Sequence, residues 1–188
     1  MKVFLLALAL FGLCSTQLRW GRCADPALQS GFSASTFNGV GYLARRTKKV
    51  PWDKKQCVRI KIGAKVGSNP AQSLFLSQYD LSTLKLSSTG GTLSFDDPAV
   101  GKGKVDSAWI PSGDLRVIKT GSSPNHAVFY SCVPFLFCKR EYLWVFVQNA
   151  ADAGAAADPI TASALLKVST ISADYLDTIN QSASCVYA

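Results

Sequence analysis

The stretch His126–Asn149, HAVFYSCVPFLFCKREYLWVFVQN, constrains this chain more than any other part of it. Apolar residues fill both halves, from Ala127 to Tyr130 and again from Leu143 to Val147, and β-branched and aromatic types dominate. The pattern predicts two strands joined by a tight, cysteine-bearing connection, with Lys139, Arg140 and Glu141 grouped at the bend. A hairpin that is apolar on both faces must be covered on both. It can pack against another element, or it can close around a space that suits an apolar guest.

The preceding residues supply more strands. Cys57 to Val66 alternates, with Val58, Ile60 and Ile62 on one face and Arg59 and Lys61 on the other, the pattern of a half-buried strand. Asn38–Gly39 starts another strand that runs to about Arg46, after a short helical turn from Phe32 to Phe37. Gln72–Tyr79, Leu84–Ser88, Thr92–Phe95, Lys104–Ile110 and Asp114–Lys119 read as further short strands. The sequences SNP, TGG, DDP and PSGD between them are turn chemistry. About eight strands without intervening helices predict an all-β antiparallel sandwich or up-and-down barrel. One helix is expected near the C-terminus, capped by Asp158 with Pro159 at its first position, and packed outside the sheet.

Both ends of the chain carry compartment signals. Met1–Lys2 precedes the run Val3 to Leu13, apolar apart from one glycine and followed by Cys14, Ser15, Thr16 and Gln17. That layout predicts a secretory signal peptide over residues 1–16 and a single mature domain over 17–188. Eleven residues are too few for a bilayer span, which needs about 20. Cleavage removes Lys2 and Cys14, so the net charge of +8 becomes +7 and the six cysteines become five. In an oxidising compartment most of those five should be bridged, but spacing alone does not choose among the pairings. Asn180-Gln181-Ser182 is an acceptor for N-glycosylation in a secreted chain.

The residue inventory excludes several chemistries. A single histidine, His126, leaves no multi-histidine zinc site, and its place at a strand start suits a structural imidazole. There is no G-x-S-x-G, no phosphate-cradling glycine loop and no interleaving of basic and aromatic residues for nucleic acid. Cys138, next to Lys139 and Arg140, is the one candidate nucleophile, since neighbouring cations favour a thiolate. A loop cysteine held in a disulfide is the simpler account of it.

Phe37-Asn38-Gly39-Val40 with Tyr42, then Gln56-Cys57-Val58, then Phe129-Tyr130-Ser131-Cys132, a small-residue loop, a C-terminal helix and Ser182-Ala183-Ser184-Cys185 together resemble the lipocalin family. The spacing is most similar to its crustacyanin, bilin-binding and apolipoprotein D group, from about Gly21 to Tyr187. The resemblance implies an eight-stranded antiparallel up-and-down barrel with one C-terminal helix packed outside and the N-terminal arm closing one end. It also implies the pairings Cys23–Cys132 and Cys57–Cys185, which leaves Cys138 as the odd thiol. The chain departs from the family at three places. Gly41 stands where a tryptophan is usual, Asn149 where an arginine is usual, and Thr120-Gly121-Ser122 where Thr-Asp-Tyr is usual.

The implied function is secreted carriage of a small hydrophobic molecule, with no catalytic step, no metal and no required cofactor. The ligand expected from the resemblance is a carotenoid such as astaxanthin, or else a bilin, sterol or fatty acid, and assembly with itself or with related lipocalins is expected too. The implied ligand-binding set is Tyr42, Trp52, Ile60, Ile62, Leu76, Gln78, Val117, Phe129, Ser131 and Val145. Leu74, Leu115, Leu143 and Val147 complete the implied lining, and Trp52 would sit in a lid loop.

Overall fold

The computed structural model describes residues 18–32, 39–48, 56–65, 71–97, 101–108 and 110–187. The predicted signal peptide, the helical turn after Phe32 and the lid tryptophan Trp52 lie outside these residues.

Ten strands form one sheet: β1 Arg19–Trp20, β2 Gly39–Thr47, β3 Val58–Lys65, β4 Ala71–Asp80, β5 Lys85–Asp97, β6 Lys102–Ser107, β7 Ile110–Ser122, β8 Asn125–Phe135, β9 Cys138–Val147 and β10 Leu176–Thr178. From β2 to β9 each strand pairs antiparallel with the next, and β9 pairs back onto β2 from Tyr42↔Val147 to Arg46↔Trp144. That last pairing closes an eight-stranded up-and-down barrel and removes its free edges. β1 adds to the far part of β9, and β10 to the far part of β2.

The expected strands Leu84–Ser88 and Thr92–Phe95 are one strand, β5. Its Gly90–Gly91 is no turn: a Cβ on Gly91 would stand 2.3 Å from the Asp106 carbonyl oxygen, so this glycine admits the backbone of β6. Residues 111–114, also expected as a turn, run inside β7. Helix α1, Asp158–Lys167, packs outside the barrel as expected, but its cap differs. Asp158 lies within the first turn and bonds Arg45 Nη2 at 2.6 Å rather than capping the helix.

The connections β2–β3, β4–β5, β6–β7 and β8–β9 lie at one end of the barrel, here called the mouth. The opposite end, the base, is plugged by the arm. Phe32 packs against Phe95 with ring centroids 4.9 Å apart, and the Gln29 amide bonds the Val117 carbonyl at 3.0 Å. Gly101 (φ +66°) permits this closure, since a Cβ there would meet Val117 at 2.9 Å and Phe32 at 3.4 Å.

The apolar residues divide into two layers. The inner one contains Leu43, Ile60, Ile62, Leu74, Leu76, Leu93, Val117, Phe129, Trp144 and Phe146. The outer one places Ala44, Ile118, Val128, Tyr130, Leu143, Val145 and Val147 against Ile160, Ala164 and Val168 at the helix. The apolar hairpin is therefore covered on both faces, by the barrel interior on one side and by the helix layer on the other.

Candidate functional site

The lumen is built by alternation. On β3 the polar Arg59 and Lys61 turn outward, which leaves Val58, Ile60 and Ile62 inside, and their register partners on β4 are Gln78, Leu76 and Leu74. On β8, Phe129 and Ser131 face in and stand opposite Trp144 and Tyr142 of β9. Val117 and Leu115 of β7 complete this wall opposite Phe129 and Ser131. Seven residues of the implied ligand set, Ile60, Ile62, Leu76, Gln78, Val117, Phe129 and Ser131, thus share one interior.

Two residues of that set do not. Val145 lies on the outer face of β9 beneath the helix layer, together with Leu143 and Val147, and the strand turns Tyr142, Trp144 and Phe146 inward instead. The facing implied by the resemblance is off by one residue on this strand. The two-residue loop is Leu136–Phe137, so the charged trio expected at the bend lies within β9, with Lys139 and Glu141 buried outside the lumen. Tyr42 is also outside, opposite Val147 and edge-on to the Tyr187 ring at 5.2 Å. Inward from β2 come Gly41, Leu43 and, after a bulge between Leu43 and Arg45, the fully buried Arg46 opposite Trp144.

The middle of the interior is apolar, and buried polar side chains join it toward the mouth. One void of about 20 Å³ is walled by Ile60, Ile62, Leu74, Leu93, Phe129 and Trp144 among others. A second, of about 30 Å³, lies at the base beside Gly39, Gly41, His126 and Gln148. Phe129 and Phe146, edge to face at 5.8 Å, border both voids. A larger hollow of about 390 Å³ lies between Ala150–Gly154 and Thr178–Gln181 on the outer surface. Mouthward of Phe129, Ser131 and Gln78 are buried, and Ser131 Oγ and Gln78 Oε1 have no hydrogen-bond partner.

The three departures from the family pattern acquire local reasons at the base. A Cβ on Gly41 would meet Ile60 Cγ2 at 3.1 Å and Phe146 Cβ at 3.6 Å, so Phe146 holds part of the room that a larger residue would need. Asn149 caps the 3-10 turn Ala150–Ala153 by accepting from the Ala151 amide at 3.1 Å. Gly121 lies flat beneath the His126 ring, whose Cε1 is 2.4 Å from where its Cβ would be. His126 Nδ1 is 2.7 Å from the Pro124 carbonyl oxygen, and Nε2 is buried without a partner. Burial, followed by the field of Lys119, holds the imidazole below its ordinary pKa despite the Pro124 bond, and so favours the neutral ring.

Outside the barrel, a buried polar cluster is built around Glu141. Lys139 Nζ and Glu141 Oε2 are 3.0 Å apart and nearly inaccessible. Glu141 Oε1 accepts from Tyr130 Oη at 2.8 Å and Thr170 Oγ1 at 2.7 Å. Burial and the Glu141 carboxylate push the Tyr130 phenol well above its ordinary range.

The disulfides Cys23–Cys132 and Cys57–Cys185 are both formed and span 109 and 128 residues. The first ties the arm to β8, and the second ties the C-terminus to the start of β3. Beside the second, the Gln181 amide donates to the carbonyls of Leu43 (2.9 Å) and Val58 (2.8 Å), bridging β2 and β3 where they part. In the full-length chain Cys138 is buried and disulfide-bonded, and no described cysteine is free. Asn180 is exposed. Among the described residues no cluster of three or more His, Cys, Asp or Glu could hold a metal ion, and no helix is long and apolar enough to cross a membrane.

Neither a protein-family model nor a curated protein sequence matches the chain. Solved structures do. Lobster apocrustacyanin A1 superposes with a TM-score of 0.73 at 16% identity, over 92% of this chain and 96% of that one. Insecticyanin from the tobacco hornworm Manduca sexta gives 0.71 at 16% identity, over 91% and 93%. The amine-binding protein of Rhodnius prolixus, solved with tryptamine, gives 0.59 at 16% identity, over 85% and 86%. These likenesses show the fold: the chain has the lipocalin architecture, a closed eight-stranded antiparallel barrel with one C-terminal helix.

Proposed function

We propose that the protein is a secreted carrier that holds a small, largely apolar ligand in the barrel lumen. The observation that carries this reading is the lumen's incomplete satisfaction. Its apolar floor encloses voids, and above it Ser131 Oγ and Gln78 Oε1 are buried unpaired. A buried polar atom without a partner costs about 1–3 kcal/mol, which a ligand hydroxyl or carbonyl would recover. Apolar walls with a few convergent polar atoms are the usual make-up of a ligand site. The solved neighbours include a protein named for binding amines. Within this class, the resemblance to the crustacyanin group favours a carotenoid such as astaxanthin, with a bilin, sterol or fatty acid as the neighbouring choices. Secretion follows from the signal peptide expected over residues 1–16 and agrees with two long-range disulfides.

The voids of about 20 and 30 Å³ favour a second reading, a barrel filled by its own side chains. Ligand sites for drug-sized molecules run to roughly 300–1,000 Å³. Loading therefore requires side chains of the lumen to move and make room. The deciding experiment has two arms. An absorption spectrum of protein from its natural source shows any bound carotenoid or bilin directly. A panel of carotenoid, bilin, sterol and fatty acid is then titrated against tryptophan emission, for which Trp144, in the lumen, is the reporter. Quenching that is lost in Trp144→Phe supports the carrier. No chromophore and no quenching by any ligand leaves the filled barrel.

A further inference from the structure

We propose that the mouth of the barrel docks on an anionic lipid membrane through two apolar hairpin tips. The inference does not depend on what the lumen holds. Large apolar side chains crowd the mouth: Leu84 and Leu86 at the β4–β5 turn, and Trp20, Phe135, Leu136 and Phe137 at the β8–β9 turn. Leu84 is 70% exposed and Leu136 77% exposed. Single exposed leucines are ordinary, but a contiguous exposed apolar group marks an interaction site.

Backbone conformation separates these tips from chance exposure. Leu84 has φ +54° and Leu136 φ +53°, the left-handed region that asparagine and glycine occupy readily and leucine rarely does. Two-residue hairpin loops such as Leu136–Phe137 strongly favour Asn-Gly or Asp-Gly. Here both tips hold a leucine in strained backbone while presenting its side chain to water, a double cost that folding alone does not require. Around the second tip the apolar side chains are supported. Trp20 stacks on Phe137 with centroids 6.3 Å apart, and the Gly21 amide bonds the Phe137 carbonyl at 3.0 Å.

The occupant follows from arrangement and charge. β4–β5 and β8–β9 lie on different walls of the barrel, with the two strands β6 and β7 between them in the order of the sheet, yet both tips project from the same end. A broad surface meets both tips at once, and side chains that protrude singly enter a soft apolar phase more readily than they match a rigid one. Exposed Lys85 adjoins the first tip and exposed Arg22 the second. Asp80, the acid beside the first tip, is buried and turned into its own loop, accepting from the Ser82 amide at 2.9 Å and the Ser82 hydroxyl at 2.6 Å. Cations flanking an inserted apolar group suit acidic headgroups. The chain as a whole carries +8.

The test uses vesicles of phosphatidylcholine, with and without about one-fifth phosphatidylserine, in flotation with the oxidised protein. The wild type should float with the mixed vesicles and less with pure phosphatidylcholine. The double variant Leu84→Asn/Leu136→Asn should lose roughly a hundredfold in partition, the scale of two leucine side chains withdrawn from an apolar phase. Because asparagine suits both backbone positions, its melting temperature should hold or rise, which separates docking from folding. Lys85→Glu/Arg22→Glu should remove the preference for phosphatidylserine. Unchanged partition of the double leucine variant overturns the proposal, as does a wild type that floats with neither vesicle. A protein that ignores vesicles but forms a dimer, abolished by the same leucine variant in sedimentation velocity, overturns it in favour of a second copy.

Discussion

The two faces of β9 share ten residues of chain and obey different rules. Outward, Leu143, Val145 and Val147 are packed beneath the helix layer, and the polar groups among them, Lys139 and Glu141, are paired with each other, Tyr130 and Thr170. Inward, Trp144 and Phe146 border unfilled space, and Ser131 across the strand pair leaves its hydroxyl unused. Folding alone favours the first arrangement, because buried polar atoms are normally satisfied. The difference points to stability resting on the outer face and function on the inner one.

The outer face is broken most severely at its charges. Glu141→Gln leaves Lys139 buried with no anion, and removing one partner of a buried pair costs about 3–5 kcal/mol. Urea unfolding should show that loss as a lower midpoint with an unchanged slope. A loss under about 1 kcal/mol would place the pair with ordinary surface salt bridges and undo the contrast. Leu143→Ala comes next, at about 2–4 kcal/mol for a fully buried leucine whose cavity cannot collapse against the helix. The same measurement on Leu74→Ala, in the lumen, should show the smaller loss, because a side chain that borders a void has fewer packing contacts to lose.

The contrast between the faces also explains what could be read in the sequence. The lining contributed by β3 was legible because Arg59 and Lys61 mark the outer face between Val58, Ile60 and Ile62. β9 offers no such mark from Tyr142 to Val147, where both faces are apolar. Its facing then depended on where the bend falls, and a one-residue error in facing exchanges the whole set. The facing taken over from the family likeness put Val145 inside, whereas the pairing that follows from the bend at Leu136–Phe137 puts Trp144 there. Tyr42 failed for a similar reason, since nothing in GVGYLA distinguishes the two faces. Two interior glycines are placed by contacts that no local pattern encodes: Gly91 admits β6, and Gly121 admits the His126 ring. The disulfide pairing was likewise open from spacing alone and was fixed only through the family likeness.

The base offers a subtler probe through His126. Its folded pKa is lowered from 6.5, so the unfolded chain binds the proton more readily than the folded one. The contribution of this group to stability is complete above pH 6.5 and is lost as the pH falls from there through the folded value. Thermal melts between pH 7.5 and 5 should therefore show a falling melting temperature, with part of the slope missing in His126→Gln. An identical slope in the variant would assign the acid sensitivity to other groups.

The smallest stability effect is the most informative about function. Gln78→Leu and Ser131→Ala remove buried polar atoms that have no partner in the folded protein, whereas Glu141→Gln neutralises a carboxylate whose two oxygens between them meet Lys139, Tyr130 and Thr170. Replacing an unsatisfied buried group by an apolar one of similar shape is neutral or stabilising, by roughly 0–1 kcal/mol. These variants should thus melt at or slightly above the wild-type temperature. If the unpaired atoms are kept for a ligand, the same variants should weaken Trp144 quenching by any ligand that carries a hydroxyl or carbonyl, by roughly tenfold for each lost hydrogen bond. Gained stability with lost affinity would show that the lumen keeps a defect which the outer face does not tolerate. Lost stability would mean that Ser131 and Gln78 are structural after all, and the two faces of β9 would then follow one rule.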